Sequence, residues 1–121
     1  LVEDREANYS GLDPLSLICD NAWSGGLVLG EEILDWDKVN FSNLYSKVIW
    51  NDENETSAPV MDADPFNNLC WLLNDVKSRN KPLEEGMIII TGSVLQIRPG
   101  VKGDKVVHKI GQANAASIHL K

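Results

Sequence analysis

Residues 64–93 read DPFNNLCWLLNDVKSRNKPLEEGMIIITGS, and this stretch decides much of the fold. Asp64 is a suitable N-cap residue, and Pro65 suits the first position of a helix. Apolar side chains then recur at helical spacing and predict one apolar stripe. The stripe consists of Phe66, Leu69, Cys70, Leu73 and Val76. Pro82 and Gly86 end the pattern, so the stretch predicts one long helix followed by a turn.

A short apolar run follows this turn and leads into a hydroxyl-rich loop. Residues 87–90 are apolar and mostly β-branched, which predicts a strand buried on both faces. Thr91, Gly92 and Ser93 come directly after the run. Backbone N–H groups and two hydroxyls in one place suit a carboxylate or a 2-oxo acid. Taken alone the three residues are more often only an ordinary turn, so both interpretations stay open here.

Length and charge narrow the class of protein. The 121 residues predict a single domain over 1–121, long enough to bury a hydrophobic core. The net charge of −7 argues against a nucleic-acid or membrane partner. No apolar run approaches the ~20 residues of a membrane helix, and no signal-peptide pattern is present, so we expect a cytoplasmic protein. Cys19 and Cys70 lie among apolar residues, which predicts two reduced core thiols.

The rest of the chain predicts a mixed α+β fold that is mostly β, with one long and one short helix. Residues 14–21 predict the short helix, with Asp13 as its N-cap. Further strands are predicted at residues 27–29, 45–50, 55–60, 104–110 and 113–120. Trp36 is expected to anchor its segment on the core. Trp71 lies off the helical stripe, which fits an interface or packing under a loop.

Few residues in the sequence point to catalysis, and no catalytic residue is assigned. Glu3, Asp4 and Glu6 place three carboxylates within four residues, which suits a hard cation such as Mg²⁺ or an ordinary solvated chain end. His108 and His119 fall in predicted strands, far from any serine or cysteine in a nucleophile motif. The residues alone therefore predict a β-rich domain that binds a small anion at most.

Three stretches taken together resemble the C-terminal half of the 2-keto-4-pentenoate hydratase family, within the fumarylacetoacetate hydrolase superfamily. They are LVEDR with ICDNAWSGGLVLG (residues 1–5 and 18–30), DPFNNLCWL (64–72) and PLEEGMIIITGS (82–93). VKGDK at residues 101–105 continues the resemblance. It implies a β-sandwich or roll of the fumarylacetoacetate hydrolase C-terminal type, with the helices packed outside.

The resemblance also implies a chemistry. Members of this family use Mg²⁺ or Mn²⁺ to chelate a small 2-oxo acid and add water across a conjugated double bond, as in 2-hydroxypenta-2,4-dienoate-like compounds; close relatives decarboxylate instead. By position, Asn21 and Ser24 fall on the family's substrate-side loop. Thr91, Gly92 and Ser93 fall on its carboxylate-binding turn. These five residues are therefore expected to bind substrate.

The chain also departs from the family pattern. The family's Glu-x-Glu metal ligands, a further glutamate and the catalytic lysine would fall before Leu1, so Glu3 is the nearest candidate ligand. Trp23 stands where the family has a small serine, and Met87 where it commonly has an aspartate. On this comparison the chain is expected to be inactive by itself.

Three interpretations remain open from the sequence. The chain is a piece of a metal-dependent hydratase or decarboxylase, a non-catalytic homologue that serves as an oligomerising module, or a module that binds a small carboxylate without turnover. Half of a sandwich leaves a sheet edge and an apolar face uncovered. We therefore expect a homo-oligomer or a strand-swapped dimer.

Overall fold

The computed structural model describes residues 2–3, 13–19, 21–96 and 98–121. Contacts within the chain group it into two units, Leu1–Gly30 and Glu31–Lys121, and each is treated by itself below. The assignment of residues 1–121 to a single domain stays a prediction.

The first unit contains a short helix between two very short strands. Strand β1 is Val2–Glu3, helix α1 is Pro14–Cys19, and strand β2 is Ser24–Gly26. The Asp13 carboxylate accepts hydrogen bonds from the Ser16 backbone N–H at 3.0 Å and from the Ser16 hydroxyl at 2.9 Å. These bonds confirm Asp13 as the N-cap and lower the pKa of its carboxyl group. The helix ends two residues before the predicted boundary.

Strands β1 and β2 pair in antiparallel fashion, with Glu3 opposite Ser24. The turn before β2, Asn21–Trp23, is built from three consecutive residues with positive φ angles of 49°, 50° and 57°. The strand predicted at residues 27–29 is wrong, because the paired segment lies three residues earlier and ends at Gly26. Leu29 is left 67% exposed. An apolar run becomes a strand only where a partner strand lies beside it.

The second unit is organised around a hairpin that the sequence predicts well. Strand β3 is Tyr45–Trp50 and strand β4 is Asn54–Pro59. Asn51 and Asp52 make the turn between them with φ angles of 55° and 61°, the region that short hairpin turns require. The predicted hairpin is therefore confirmed, with β4 beginning one residue earlier than expected.

A second hairpin completes the sheet. Strand β5 is Lys105–Ile110 and strand β6 is Ala113–His119, joined through Gly111 at a φ of 63°. The four strands form one antiparallel sheet in the order β4-β3-β5-β6, so β3 and β5 join the two hairpins at its centre. Both predicted C-terminal strands are confirmed. The described residues form a mixed fold with one four-stranded antiparallel sheet and one long helix. The β-sandwich or roll implied by the resemblance stays a prediction.

The long helix, α2, is Pro65–Ser78 and lies between β4 and β5 in the chain. Pro65 occupies its first turn as predicted, but Asp64 does not cap the backbone. The Asp64 carboxylate instead accepts hydrogen bonds from the Asn67 side chain at 2.9 and 3.0 Å. Phe66 meets Phe41 edge to face, with ring centroids 4.9 Å apart. Within the described ranges, no helix has the length and apolar character needed to cross a bilayer.

The hydrophobic core expected from chain length is absent from the described residues. None of their hydrophobic side chains is buried, and the buried residues are Ser46 and Asp104. Trp36 is 62% exposed and does not anchor its segment, while Cys19 and Cys70 are exposed free thiols and not core residues. A sheet buries its face only against a second layer, and the strands' apolar side chains stay half-exposed here.

Residues 87–90 do not form the predicted buried strand. They lie outside the sheet, and Met87, Ile88 and Ile90 are 48%, 58% and 51% exposed. The apolar sequence favours burial, but these side chains are not buried. No strand within the described ranges pairs with it, so the backbone hydrogen bonds that define a strand do not form.

Candidate functional site

The turn formed by Thr91, Gly92 and Ser93 is held against the first turn of helix α2. The side-chain amide of Asn68 donates hydrogen bonds to the Ala63 carbonyl at 2.6 Å and to the Thr91 carbonyl at 3.0 Å. One side chain therefore connects the segment before the helix to the hydroxyl-rich turn. Asn68 is not among the site residues predicted from the sequence, although it lies off the apolar stripe near the helix start.

The three residues of the turn differ in what they offer a ligand. The Ser93 hydroxyl donates to the Leu95 carbonyl at 2.9 Å and accepts from the Leu95 N–H at 3.1 Å, so its proton is already in use. The half-buried Thr91 side chain makes no hydrogen bond within the described residues. Gly92 has a φ of 117°, with open space where a Cβ would lie. Thr91 is therefore the hydroxyl donor that this turn leaves for a ligand.

The start of helix α2 contributes less to anion binding than its position suggests. A helix N-terminus carries positive partial charge and favours anions. Here Asp64 already places a carboxylate at this end, and Pro65 has no N–H to donate. A ligand carboxylate would therefore depend mainly on the Thr91 hydroxyl and on the backbone N–H groups of the turn.

The other predicted site residues belong to the first unit. The backbone register places Glu3 directly opposite Ser24, and Asn21 begins the left-handed turn that leads into β2. Asn21 and Ser24 are both exposed. The structure thus brings Glu3 and Ser24 together in one strand pair. Asp4 and Glu6 lie outside the described residues.

A metal-binding cluster is not formed by the residues that the structure describes. Among them, no group of three or more histidine, cysteine, aspartate or glutamate side chains is close enough to hold an ion. Mg²⁺ and Mn²⁺ prefer several oxygen ligands around one position. The described residues therefore do not supply a ligand set that fits the metal implied by the resemblance.

His108 has a serine partner that no pattern in the sequence indicates. Its Nε2 lies 2.8 Å from the Ser46 Oγ, across the neighbouring strands β5 and β3. Partial burial disfavours the charged imidazole and lowers the pKa of His108. Ser46 is itself buried, so its hydroxyl is not open to a substrate. The pair satisfies two polar groups within the sheet, which is a structural role and not that of a nucleophile with its base.

A second polar cluster ties the β3–β4 turn to the start of β5. The Asn51 amide donates to the Asp104 carboxylate at 2.8 Å, and the Asn51 side-chain oxygen accepts from the Lys105 N–H at 2.8 Å. The Val101 N–H also donates to Asp104, at 2.9 Å. These hydrogen bonds, the one from Asn51 foremost, lower the pKa of Asp104. Because every member is engaged within the fold, this cluster stabilises the sheet.

Two surface depressions of the described residues are lined by residues other than the predicted site residues. One of about 500 Å³ lies beside the end of helix α2 and is lined by Lys77, Asn80 and Lys81, among others. Another of about 400 Å³ is lined by residues of the β5–β6 hairpin and its approach. None of the predicted substrate-binding residues lines either depression.

Comparison with known proteins gives one informative similarity. The chain is 31% identical over 107 residues to 2-oxo-hept-4-ene-1,7-dioate hydratase of Escherichia coli. This region is 86% of the chain but 39% of the hydratase, so the chain spans about two fifths of that protein's length. No protein-family model matches the chain. No solved structure matches it either. The chain is thus similar to part of a hydratase.

Proposed function

We propose that this chain is the 2-oxo-acid-binding part of a hydratase-type lyase. The similarity to a hydratase over 86% of the chain supports the reaction class. The observation that carries the proposal is the turn at residues 91–93, which Asn68 holds in place through the Thr91 carbonyl. A turn fixed in this way keeps a hydroxyl and backbone N–H groups in position before a ligand arrives.

In the proposed complex the substrate carboxylate lies against this turn. The Thr91 hydroxyl and the Gly92 N–H donate hydrogen bonds to it, while Ser93 stiffens the turn through its two bonds to Leu95. Hydration then adds the hydroxyl group of water to one alkene carbon and the remaining proton of water to the other. Asn21 and Ser24 stay predicted substrate-binding residues of the first unit. Mg²⁺ or Mn²⁺ stays an expectation from the resemblance, and no step here depends on it.

Ligand titration with a matched pair of variants tests the site. The probe is 2-oxo-hept-4-ene-1,7-dioate, the compound that gives the relative its name. Thr91→Val removes one hydroxyl at nearly constant shape. Thr56→Val makes the same change on β4, at an exposed position outside the turn. A hydrogen bond to a charged group contributes about 1.5–3 kcal/mol, so Thr91→Val should weaken binding at least about tenfold and Thr56→Val should not.

Two outcomes of calorimetric titration would contradict the proposal. One is equal affinity of Thr91→Val, Thr56→Val and the unmodified chain for the 2-oxo acid. The other is the absence of any binding at millimolar ligand. Heptanedioate, which lacks the 2-oxo group and the double bond, serves as the control ligand and should bind more weakly than the 2-oxo acid.

A binding module without turnover is the second candidate function. Its supporting observation is the exposed apolar surface of the second unit, in which Trp71 is 68% exposed and Ile88 is 58% exposed. The alkene proton signals in ¹H NMR, followed with MgCl₂ present, test for turnover. Loss of these signals supports the hydratase and contradicts the module. Saturable binding with unchanged signals fits either candidate, because the chain is expected to be inactive by itself.

A further inference from the structure

The two edges of the four-stranded sheet differ in how well they are protected. Strands β4 and β6 lie at the outside of the order β4-β3-β5-β6. Strand β4 contains Glu55, which is paired with Lys47, and it ends at Pro59, which has no N–H. Charged residues and proline keep an edge strand from pairing with another chain. Strand β6 reads ANAASIH, without proline, lysine, aspartate or glutamate, and no described strand pairs with its outer side.

The two faces of the sheet differ in chemistry beside β6. On one face Ile118 lies opposite Val106, so the face is apolar there. On the other face His119 lies opposite Lys105. Side chains alternate along a strand, and the pairing of β5 with β3 is regular, so Lys109 lies on the same face as Lys105. A strand added to β6 therefore meets apolar side chains on one face and basic side chains on the other.

Positive charge is concentrated in the part of the chain that forms this edge. Residues 98–121 contain five of the eleven basic residues and one of the eighteen acidic residues, which gives the stretch a formal charge of +4 in a chain of −7. Lys105 is paired with Asp52 at 3.0 Å, whereas Lys109 makes no ion pair with another described residue. At physiological salt the Debye length is about 8 Å, so a ligand at β6 interacts mainly with these nearby charges.

We propose that β6 pairs with an extended segment of a partner protein in which acidic and apolar residues alternate. The free edge requires backbone donors and acceptors at strand spacing, which a polypeptide supplies and a nucleic acid does not. The acidic residues of the partner lie on the face of Lys109 and His119, and its apolar residues lie on the face of Ile118. A depression of about 400 Å³, lined in part by Ser117, Ile118 and His119, gives room for one of its side chains. This surface is separate from the proposed 2-oxo-acid site.

Three capped seven-residue peptides test this inference on the unmodified chain. In each of them valine alternates with one other residue, which is glutamate, lysine or glutamine. We expect the glutamate peptide to bind most tightly in an NMR titration. It should slow amide hydrogen exchange in Ala113–His119 and leave exchange in Asn54–Pro59 unchanged. The net charge of −7 by itself favours the lysine peptide, so a preference for glutamate requires a local basic surface.

A matched pair of charge variants locates the basic surface. Lys109→Glu reverses a charge on the proposed face. Lys77→Glu makes the same change on helix α2, where Lys77 is exposed and likewise makes no ion pair within the described ranges. Lys109→Glu should weaken binding of the glutamate peptide at least about threefold relative to Lys77→Glu, because a like-charge contact replaces an exposed ion pair. Far-UV circular dichroism checks that both variants fold.

Four results would overturn the proposal. The first is equal or tighter binding of the lysine or glutamine peptide, and the second is no binding of the glutamate peptide at millimolar concentration. The third is protection of β4 in place of β6. The fourth is displacement of the glutamate peptide by a thymidine oligonucleotide that binds more tightly, which would indicate a nucleic-acid partner. Because no 2-oxo acid is present in these experiments, their failure leaves the proposed function standing, and the reverse also holds.

Discussion

Asn68 is the residue whose removal most directly tests how the candidate site is built. Its side chain makes two hydrogen bonds, to the Ala63 carbonyl at 2.6 Å and to the Thr91 carbonyl at 3.0 Å. A typical neutral hydrogen bond contributes about 0.5–1.5 kcal/mol to stability. Asn68 is exposed, so water competes for both bonds and the lower end applies, which gives about 1 kcal/mol for the pair.

Replacing Asn68 by alanine also raises helix propensity, which stabilises the helix. This gain in stability must be separated from the loss of the two hydrogen bonds. Alanine is favoured over asparagine in a helix by roughly 0.5 kcal/mol, so Asn68→Ala alone should change the overall stability little. Asn74→Ala is the matched control, since Asn74 is exposed on the same helix and its side chain makes no hydrogen bond within the described residues. The two variants should differ by about 1 kcal/mol, with Asn68→Ala the less stable.

Thermal unfolding followed by circular dichroism measures this difference. For a chain of this length, 1 kcal/mol corresponds to a shift of about 4 °C in Tm. Hydrogen exchange supplies the local readout: in Asn68→Ala the amides of residues 91–93 should exchange faster than in Asn74→Ala. Equal Tm values together with unchanged exchange at residues 91–93 would refute the view that Asn68 positions this turn.

The remaining predictions concern the sheet. Ser46→Ala leaves the His108 Nε2 without its partner and should cost about 1–3 kcal/mol in urea unfolding, whereas Ser57→Ala, at an exposed position, should cost almost nothing. Burial lowers the pKa of His108, so the unfolded chain takes up a proton first as pH falls. The urea midpoint should therefore be constant above about pH 6.5 and fall below it, and less steeply in His108→Gln; an identical slope would contradict this. Gly111→Ala should destabilise by about 1–2 kcal/mol, because φ is positive and the new Cβ would lie 2.9 Å from Leu44; an unchanged midpoint would disprove it.

The local elements of the second unit were predictable because their signals are contained within a few residues. Asn51 and Asp52 specify a tight hairpin turn, and the flanking strands agree with the prediction to within one residue. Helix α2 begins where Pro65 allows it and ends before the turn that Pro82 and Gly86 indicate. Each of these elements forms its own hydrogen bonds or pairs with its nearest neighbour in sequence, so no distant information is needed.

The candidate site was predictable only in part. The sequence indicated Thr91, Gly92 and Ser93 as possible donors, but the Ser93 hydroxyl is occupied by Leu95, which lies two residues away. Asn68, which fixes the turn, is 23 positions away from Thr91 in sequence. The Ser46–His108 pair joins residues 62 positions apart. Such pairings depend on how strands and helices pack together, and neither composition nor periodicity predicts them.

By itself, the sequence determined the long helix, both hairpins of the sheet and the acidic character of the chain. Only the tertiary structure decided which apolar segments become strands and which side chains are covered. Residues 27–29 and 87–90 have strand-like sequences, and Trp36, Cys19 and Cys70 have the character of core residues, yet all of them lie unpaired or exposed. Apolar side chains favour burial, but they are buried only where a second surface packs against them. That surface comes from elsewhere in the fold or from a partner.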